Sequence, residues 1–158
     1  MILRSLYAKL AFVLLGLLAV VGLLFVTISV YSTAMYQQEV NQKLNRTLAE
    51  SIISRKIVMR NSLVDDRALK EIFSMLMTIN PSIEVYLLGP QGNILAYSAD
   101  PGKVKRTSVQ LEPITRFLAG NDTLPILGDD PRWPTGKKIF SAARIPREGN
   151  LEGYLYVI

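Results

Sequence analysis

From Leu10 to Val30 the chain reads LAFVLLGLLAVVGLLFVTISV, 21 residues without a charge. A helix crossing the hydrocarbon core of a bilayer needs ~20 apolar residues. This run is apolar on every face, which sets it apart from the one-sided helix of a soluble domain. Arg4 and Lys9 precede it and the next charge is Glu39. By the positive-inside rule the N-terminus stays in the cytoplasm and the rest is exported. Tyr7, Tyr31 and Tyr36 fall near the two interfaces. A cleaved signal sequence is the competing reading, with Ser32-Thr33-Ala34 as its cleavage site. Signal h-regions span only about 7–15 residues, shorter than this run. The expected division is a cytoplasmic tail over 1–9, a transmembrane helix over 10–31 and an extracytoplasmic domain over 32–158.

Thr33 to Leu63 contains no Gly or Pro. Val40, Leu44, Leu48 and Ile52 recur at four-residue steps, and Ile53 and Ile57 extend the apolar surface. Glu39 and Lys43 form an i,i+4 pair. The pattern predicts one long helix continuing the membrane span, part of whose stripe faces a sister chain. Asp65-Asp66 reads as a break and N-cap. Leu69, Ile72, Phe73, Leu76 and Ile79 then form one face of a second helix, which Asn80-Pro81 ends.

After Pro81 the period changes. Ile83, Val85 and Leu87 alternate with Glu84, Tyr86 and Leu88, and Gly89-Pro90-Gln91-Gly92-Asn93 turns the chain into Ile94–Ser98, a β-hairpin. Asp100 to Ser108 is polar and reads as a loop. A short helix fits Glu112 to Ala119, with Pro113 in its first turn and Gly120 past its end. Thr123–Leu127, Lys138–Ile145 and Gly153–Ile158 read as three further strands. The expected fold is α+β: an antiparallel sheet of about five strands flanked by helices.

Composition removes several chemistries. The chain has no Cys and no His. Disulfides, thiolate metal sites, cysteine nucleophiles and phosphohistidine are therefore outside its reach. No nucleophile–base set and no phosphate-cradling Gly loop is present, so no catalytic residue, cofactor or enzyme activity is assigned. Setting Arg4 and Lys9 aside leaves 18 − 2 = 16 basic against 13 acidic residues, a diffuse +3 that does not suit nucleic acid.

The hairpin SIEVYLLGPQGNILAYS, the stretch LPILGDDPR, then KIFSAARIP and GYLYVI resemble the PAS-like extracytoplasmic sensors called single Cache domains, as found in bacterial sensor histidine kinases. The resemblance covers roughly Thr33 to Ile158. It implies a periplasmic sensor domain, held in the inner membrane, of a two-component signal-transduction receptor. In that family the closing strand leads to a second membrane span, a HAMP linker and a kinase core, none of which this chain contains; a truncated fragment is one expectation. A bitopic inner-membrane interaction or scaffold protein without a ligand is the alternative.

Arg144 lies in an apolar strand on the side of Phe140 and Ala142. A cation facing the interior needs an anionic partner, and a guanidinium fork matches a small carboxylate. Glu84 is the competing partner. Tyr86, Tyr97 and Ser141 are candidates to hydrogen-bond a ligand if their strand faces converge. Asp129-Asp130 alone is too few carboxylates for a cation site, so no metal is assigned, and turn chemistry is the competing role. Lys103, Lys105 and Arg106 form a basic run suited to anionic lipid or an anionic ligand, or to plain solvation. Trp133, between Pro131 and Pro134, either gates a pocket or packs its loop. Expected partners are membrane lipid, a second copy through the long helix and a small anionic ligand.

Overall fold

A computed structural model describes residues 6–55, 59–60, 63–64, 66–79, 83–100, 102–120, 122–146 and 149–158. The chain divides into two compact units, Met1–Gln38 and Glu39–Ile158. Helix α1 runs from Leu6 to Leu44, so its last turns belong to the second unit. It is long and apolar enough to cross a membrane. Its large apolar side chains from Leu6 to Tyr31 are exposed on all sides, a surface suited to lipid and not to water.

The second unit is α+β. After α1 come α2 (Leu48–Arg55), the short strands β1 (Met59–Arg60) and β2 (Leu63–Val64), and α3 (Asp66–Ile79). Strands β3 (Val85–Leu88) and β4 (Ile94–Tyr97) follow, then α4 (Leu111–Ala119), β5 (Leu127–Asp129), β6 (Lys137–Ile139), β7 (Ser141–Ile145) and β8 (Gly153–Val157). The main sheet is antiparallel, ordered β4-β3-β8-β7; β1 pairs with β2, and β5 with β6.

Local chemistry explains these elements. In the β3–β4 turn, Gly92 has φ +84, and a Cβ there would run into the Val109 carbonyl, so only glycine fits. The pairing slips by one residue between Leu87 and Leu88, a bulge that leaves Leu95 unpaired. Pro113 occupies the first turn of α4, and Gly120 closes it in the left-handed region at φ +75. Strand β8 lies between two neighbours and is covered on both faces, so all five of its residues are buried.

Each face of the sheet has its own core. On one side Val85, Leu87, Ala143, Ile145, Leu155 and Val157 meet Ala49 and Ile52 of α2 and Ile72 of α3. On the other, Tyr86, Leu88, Ala142, Tyr154 and Tyr156 meet Val109, Ile114, Phe117, Ile126 and Phe140. A fully buried Leu, Ile or Phe side chain stabilises by ~1.5–3 kcal/mol relative to exposure, so both layers are needed.

The structure departs from the sequence reading in three places. The long helix breaks: Asn45–Thr47 form a turn and α2 starts afresh at Leu48. The strand expected at Thr123–Leu127 lies instead at Leu127–Asp129, and Lys138–Ile145 divides at Phe140 into β6 and β7. The main sheet therefore has four strands where five were expected. The expected features at Arg4, Asp65 and Asn80-Pro81 lie outside the described residues.

Candidate functional site

The end of α1 is pinned to the sheet unit by one side chain. Gln42 is 1% exposed. Its Nε2 donates to the carbonyls of Ile126 (2.8 Å) and Phe140 (3.0 Å), and its Oε1 accepts the Ile126 N–H (2.7 Å). Both amide hydrogens and the amide oxygen are thereby used. A turn later the Ser141 hydroxyl donates to the Arg46 carbonyl (3.1 Å) and accepts the Ala49 N–H (3.2 Å). Ser141 thus satisfies one carbonyl and one N–H beside the helix break, which supports the stop of α1 there although its apolar steps continue. Beside this anchorage lies a cavity of about 140 Å3 lined by Asn41, Asn45, Leu48, Ile139 and Ile158 among others.

A second polar cluster is built on the β5–β6 hairpin. Gly128 sits so close to the Tyr156 hydroxyl and the Phe140 ring that a Cβ would collide with both. This close approach lets Tyr156 donate to the Asp129 carbonyl (2.8 Å). The Asp129 carboxylate, 1% exposed, accepts from the Gln110 N–H (2.9 Å) and pairs with Arg106 (2.9 Å) and Lys137 (3.1 Å). Asp130 holds the Arg132 N–H (3.0 Å) and its Nε (3.4 Å), and Arg132 Nη1 reaches Glu84 (3.2 Å). Tyr86 donates to the other Glu84 oxygen (2.7 Å). Arg106 also donates to the carbonyls of Trp133 and Pro134, and the N–H groups of Lys105 and Arg106 share the Pro131 carbonyl. The loop carrying the basic run and the hairpin tip are therefore tied together.

Electrostatics follow from this packing. Burial, and then the hydrogen bond to Glu84, push the Tyr86 phenol far above its ordinary value. Burial, and then the charges of Asp129 and Asp130, do the same to Tyr156. Both phenols are neutral donors over the physiological range. Burial opposes the charge on Arg132, but its Asp130 hydrogen bond and nearby Glu84 outweigh it and raise its pKa.

The four expected ligand-binding residues do not converge. Tyr86 and Tyr97 are paired across β3 and β4 with ring centroids 6.2 Å apart. Tyr86 is fully buried, whereas Tyr97 is 40% exposed. Arg144 is exposed. It shares the face of Ala142 by alternation, but it stands opposite Tyr154 near the strand's end, open to solvent. The Glu84 pairing considered for it is made by Arg132 instead. Ser141 points to the opposite face, where it serves the helix break. The aromatic face is filled by protein side chains, so an interior carboxylate pocket at these four residues is not what the fold builds.

Asp129-Asp130 does more than make a turn, since both carboxylates anchor cations. Among the described residues no three acidic side chains gather as a cation site would require. Gln42, Arg132 and Lys137 escaped sequence reading, because Gln42 meets Ile126 and Phe140, Arg132 meets Glu84 and Lys137 meets Gln110 across tens of residues, and no local spacing marks those contacts. Comparisons with protein-family models, with curated proteins and with solved structures return no match to the chain.

Proposed function

We propose that the chain is the membrane-anchored sensory part of a bacterial signal-transduction receptor. Its N-terminus lies in the cytoplasm, α1 crosses the inner membrane, and the α+β unit stands in the periplasm. The observation that carries this reading is the seat of Gln42. It lies on the same helix as the uncharged span, and its amide is buried under three hydrogen bonds to the segments flanking β5 and β7. A change at the β5–β6 hairpin is thereby felt at the end of α1. A ligand shifts such a device by binding one arrangement better than the other. Without histidine, the phosphoacceptor step of a two-component system belongs to another segment or another chain.

A second reading, an envelope scaffold without a ligand, draws support from the filled aromatic face, where Tyr86, Ile114 and Tyr156 are fully buried. One set of experiments separates the two. The full chain, expressed in a bacterium, is expected to fractionate with the inner membrane, and external protease is expected to digest its C-terminal part in spheroplasts. Because the chain has no cysteine, Thr33→Cys reports self-association by disulfide cross-linking. The sensory reading expects Gln42→Leu to change the cross-linked fraction. Efficient cross-linking unaffected by Gln42→Leu in folded protein favours the scaffold, and a soluble or protease-resistant product removes both readings.

A further inference from the structure

One open cleft is framed by cations. It lies between the loop of Gly102, Lys103 and Lys105 and the hairpin tip carrying Arg132 and Trp133, with a volume of about 530 Å3. Among the described residues no carboxylate lines it. Two of the acids nearby stand behind its walls: Asp129 is 1% exposed and Asp130 3%. Asp130 and Glu84 hold Arg132 by its Nε and Nη1, and among the described residues its Nη2 makes no hydrogen bond. Lys105 Nζ donates to the Gly102 carbonyl (2.7 Å), which leaves two of its three hydrogens. Lys103 pairs at the rim with Asp100 (2.6 Å), an exposed contact that an incoming anion can replace at little cost. Trp133 is 63% exposed, an unusual place for a large ring in a protein with a single tryptophan.

The walls are fixed before any ligand arrives. The Pro131 carbonyl accepts both the Lys105 and Arg106 N–H groups, and the Arg106 guanidinium closes onto the Trp133 and Pro134 carbonyls. Arg132, already held at its Nε and Nη1, loses little freedom on binding. Two lysine ammoniums act as point charges, and an arginine with one free edge adds a directed donor. This set suits the several oxygens and the charge of about −1.5 to −2 of a phosphate monoester better than the single charge of a carboxylate.

We infer that the cleft of Lys103, Lys105, Arg132 and Trp133 binds a phosphate-bearing ligand, with the phosphate on the cations and the adjoining part of the ligand against the indole. The binding stands on this geometry alone; only its role as the sensory input rests on the function proposed above. Through Arg132 the cleft is joined to Glu84, whose backbone pairs with Ile158 beside β8 (2.9 Å each way). Occupation of the cleft therefore bears directly on the sheet.

Trp133, as the sole tryptophan, is a built-in reporter. The full chain, reconstituted in phosphatidylcholine nanodiscs, is titrated with phenyl phosphate, with benzoate and with potassium chloride at matched ionic strength. A saturable change in Trp133 fluorescence is expected with phenyl phosphate and not with chloride. Lys103→Gln/Lys105→Gln, which leaves the anchors of Arg132 in place, is expected to weaken it about tenfold or more. A parallel arm replaces part of the phosphatidylcholine with phosphatidylglycerol. A Lys-dependent change there, without phenyl phosphate, names a lipid headgroup as the source, and a response to the soluble ester alone names a free phosphate ester. Silence in both arms overturns the site, as does an equal response to benzoate or an unchanged affinity in the double variant. Binding that leaves hydrogen exchange at the Ile126 amide unaltered keeps the site and rejects the sensory role.

Discussion

The two faces of the main sheet solve different problems. The face toward α2 and α3 is mainly aliphatic: its buried apolar residues are Val, Leu, Ile and Ala, Phe73 packs half-buried against them, and Ser141 is its buried polar side chain. The face toward α4 is aromatic, with Phe117, Phe140, Tyr86 and Tyr156 in tilted contact at centroid distances of 4.9–6.4 Å. Its tyrosine hydroxyls lead outward into the Asp129 and Glu84 networks. The first face receives the chain arriving on α1 and α2 and needs only volume and a patched helix break. The second must connect apolar packing to charged loops, and phenols do this because one end is greasy and the other donates. The charged networks therefore lie on the aromatic side, where Gln42 also meets Ile126 and Phe140, and the helix break is closed on the aliphatic side by Ser141.

Four measurements sharpen this contrast. Phe140→Ala removes the ring joining Phe117 to Tyr156, and we expect a loss of ~3–5 kcal/mol in urea unfolding of the full chain in micelles; a loss under 1 kcal/mol would mean that the aromatic layer is not a packed core. Alkaline stability comes next. The folded state keeps protons on Tyr86 and Tyr156 that the unfolded chain releases near pH ~10. Stability is thus fully present below that pH and falls above it, by about 1.4 kcal/mol per pH unit for each phenol. Tyr86→Phe should roughly halve the slope, and an unchanged slope would show that the phenol ionises freely in the fold. Ser141→Ala strips the patch from the helix break and should cost ~1–2 kcal/mol while leaving the alkaline slope alone. Arg144→Ala is expected to stay within about 0.5 kcal/mol, as an exposed position should. A larger loss would return Arg144 to the interior role its strand position first suggested.

Much of the fold was legible in local pattern. The uncharged span, the hairpin around Gly92, α4 between Pro113 and Gly120, and the closing strand all follow from periods and turn residues. The errors share one cause. Ile126 gives both its backbone groups to Gln42, and Phe140 gives Gln42 its carbonyl. Neither residue continues a strand ladder, so one expected strand shifts and another divides. Pro125, lacking an N–H, weakens the first of these further. The helix break at Asn45 likewise depends on Ser141, 95 residues from Arg46. The candidate site suffered most, because alternation gives the side of a strand but not what covers it. Arg144 was on the expected side, beyond the reach of the covering layer.

The central position of β8 carries a consequence for biogenesis. Its neighbours β3 and β7 have no direct ladder to each other, since each pairs with β8. Residues 153–157 are made some seventy positions after β3, and such distant pairings close slowly. While the polypeptide is still emerging, the hairpin and the amphipathic helices wait with their apolar sides uncovered. Nascent copies should accordingly depend on holding chaperones until Tyr156 arrives to close the gap.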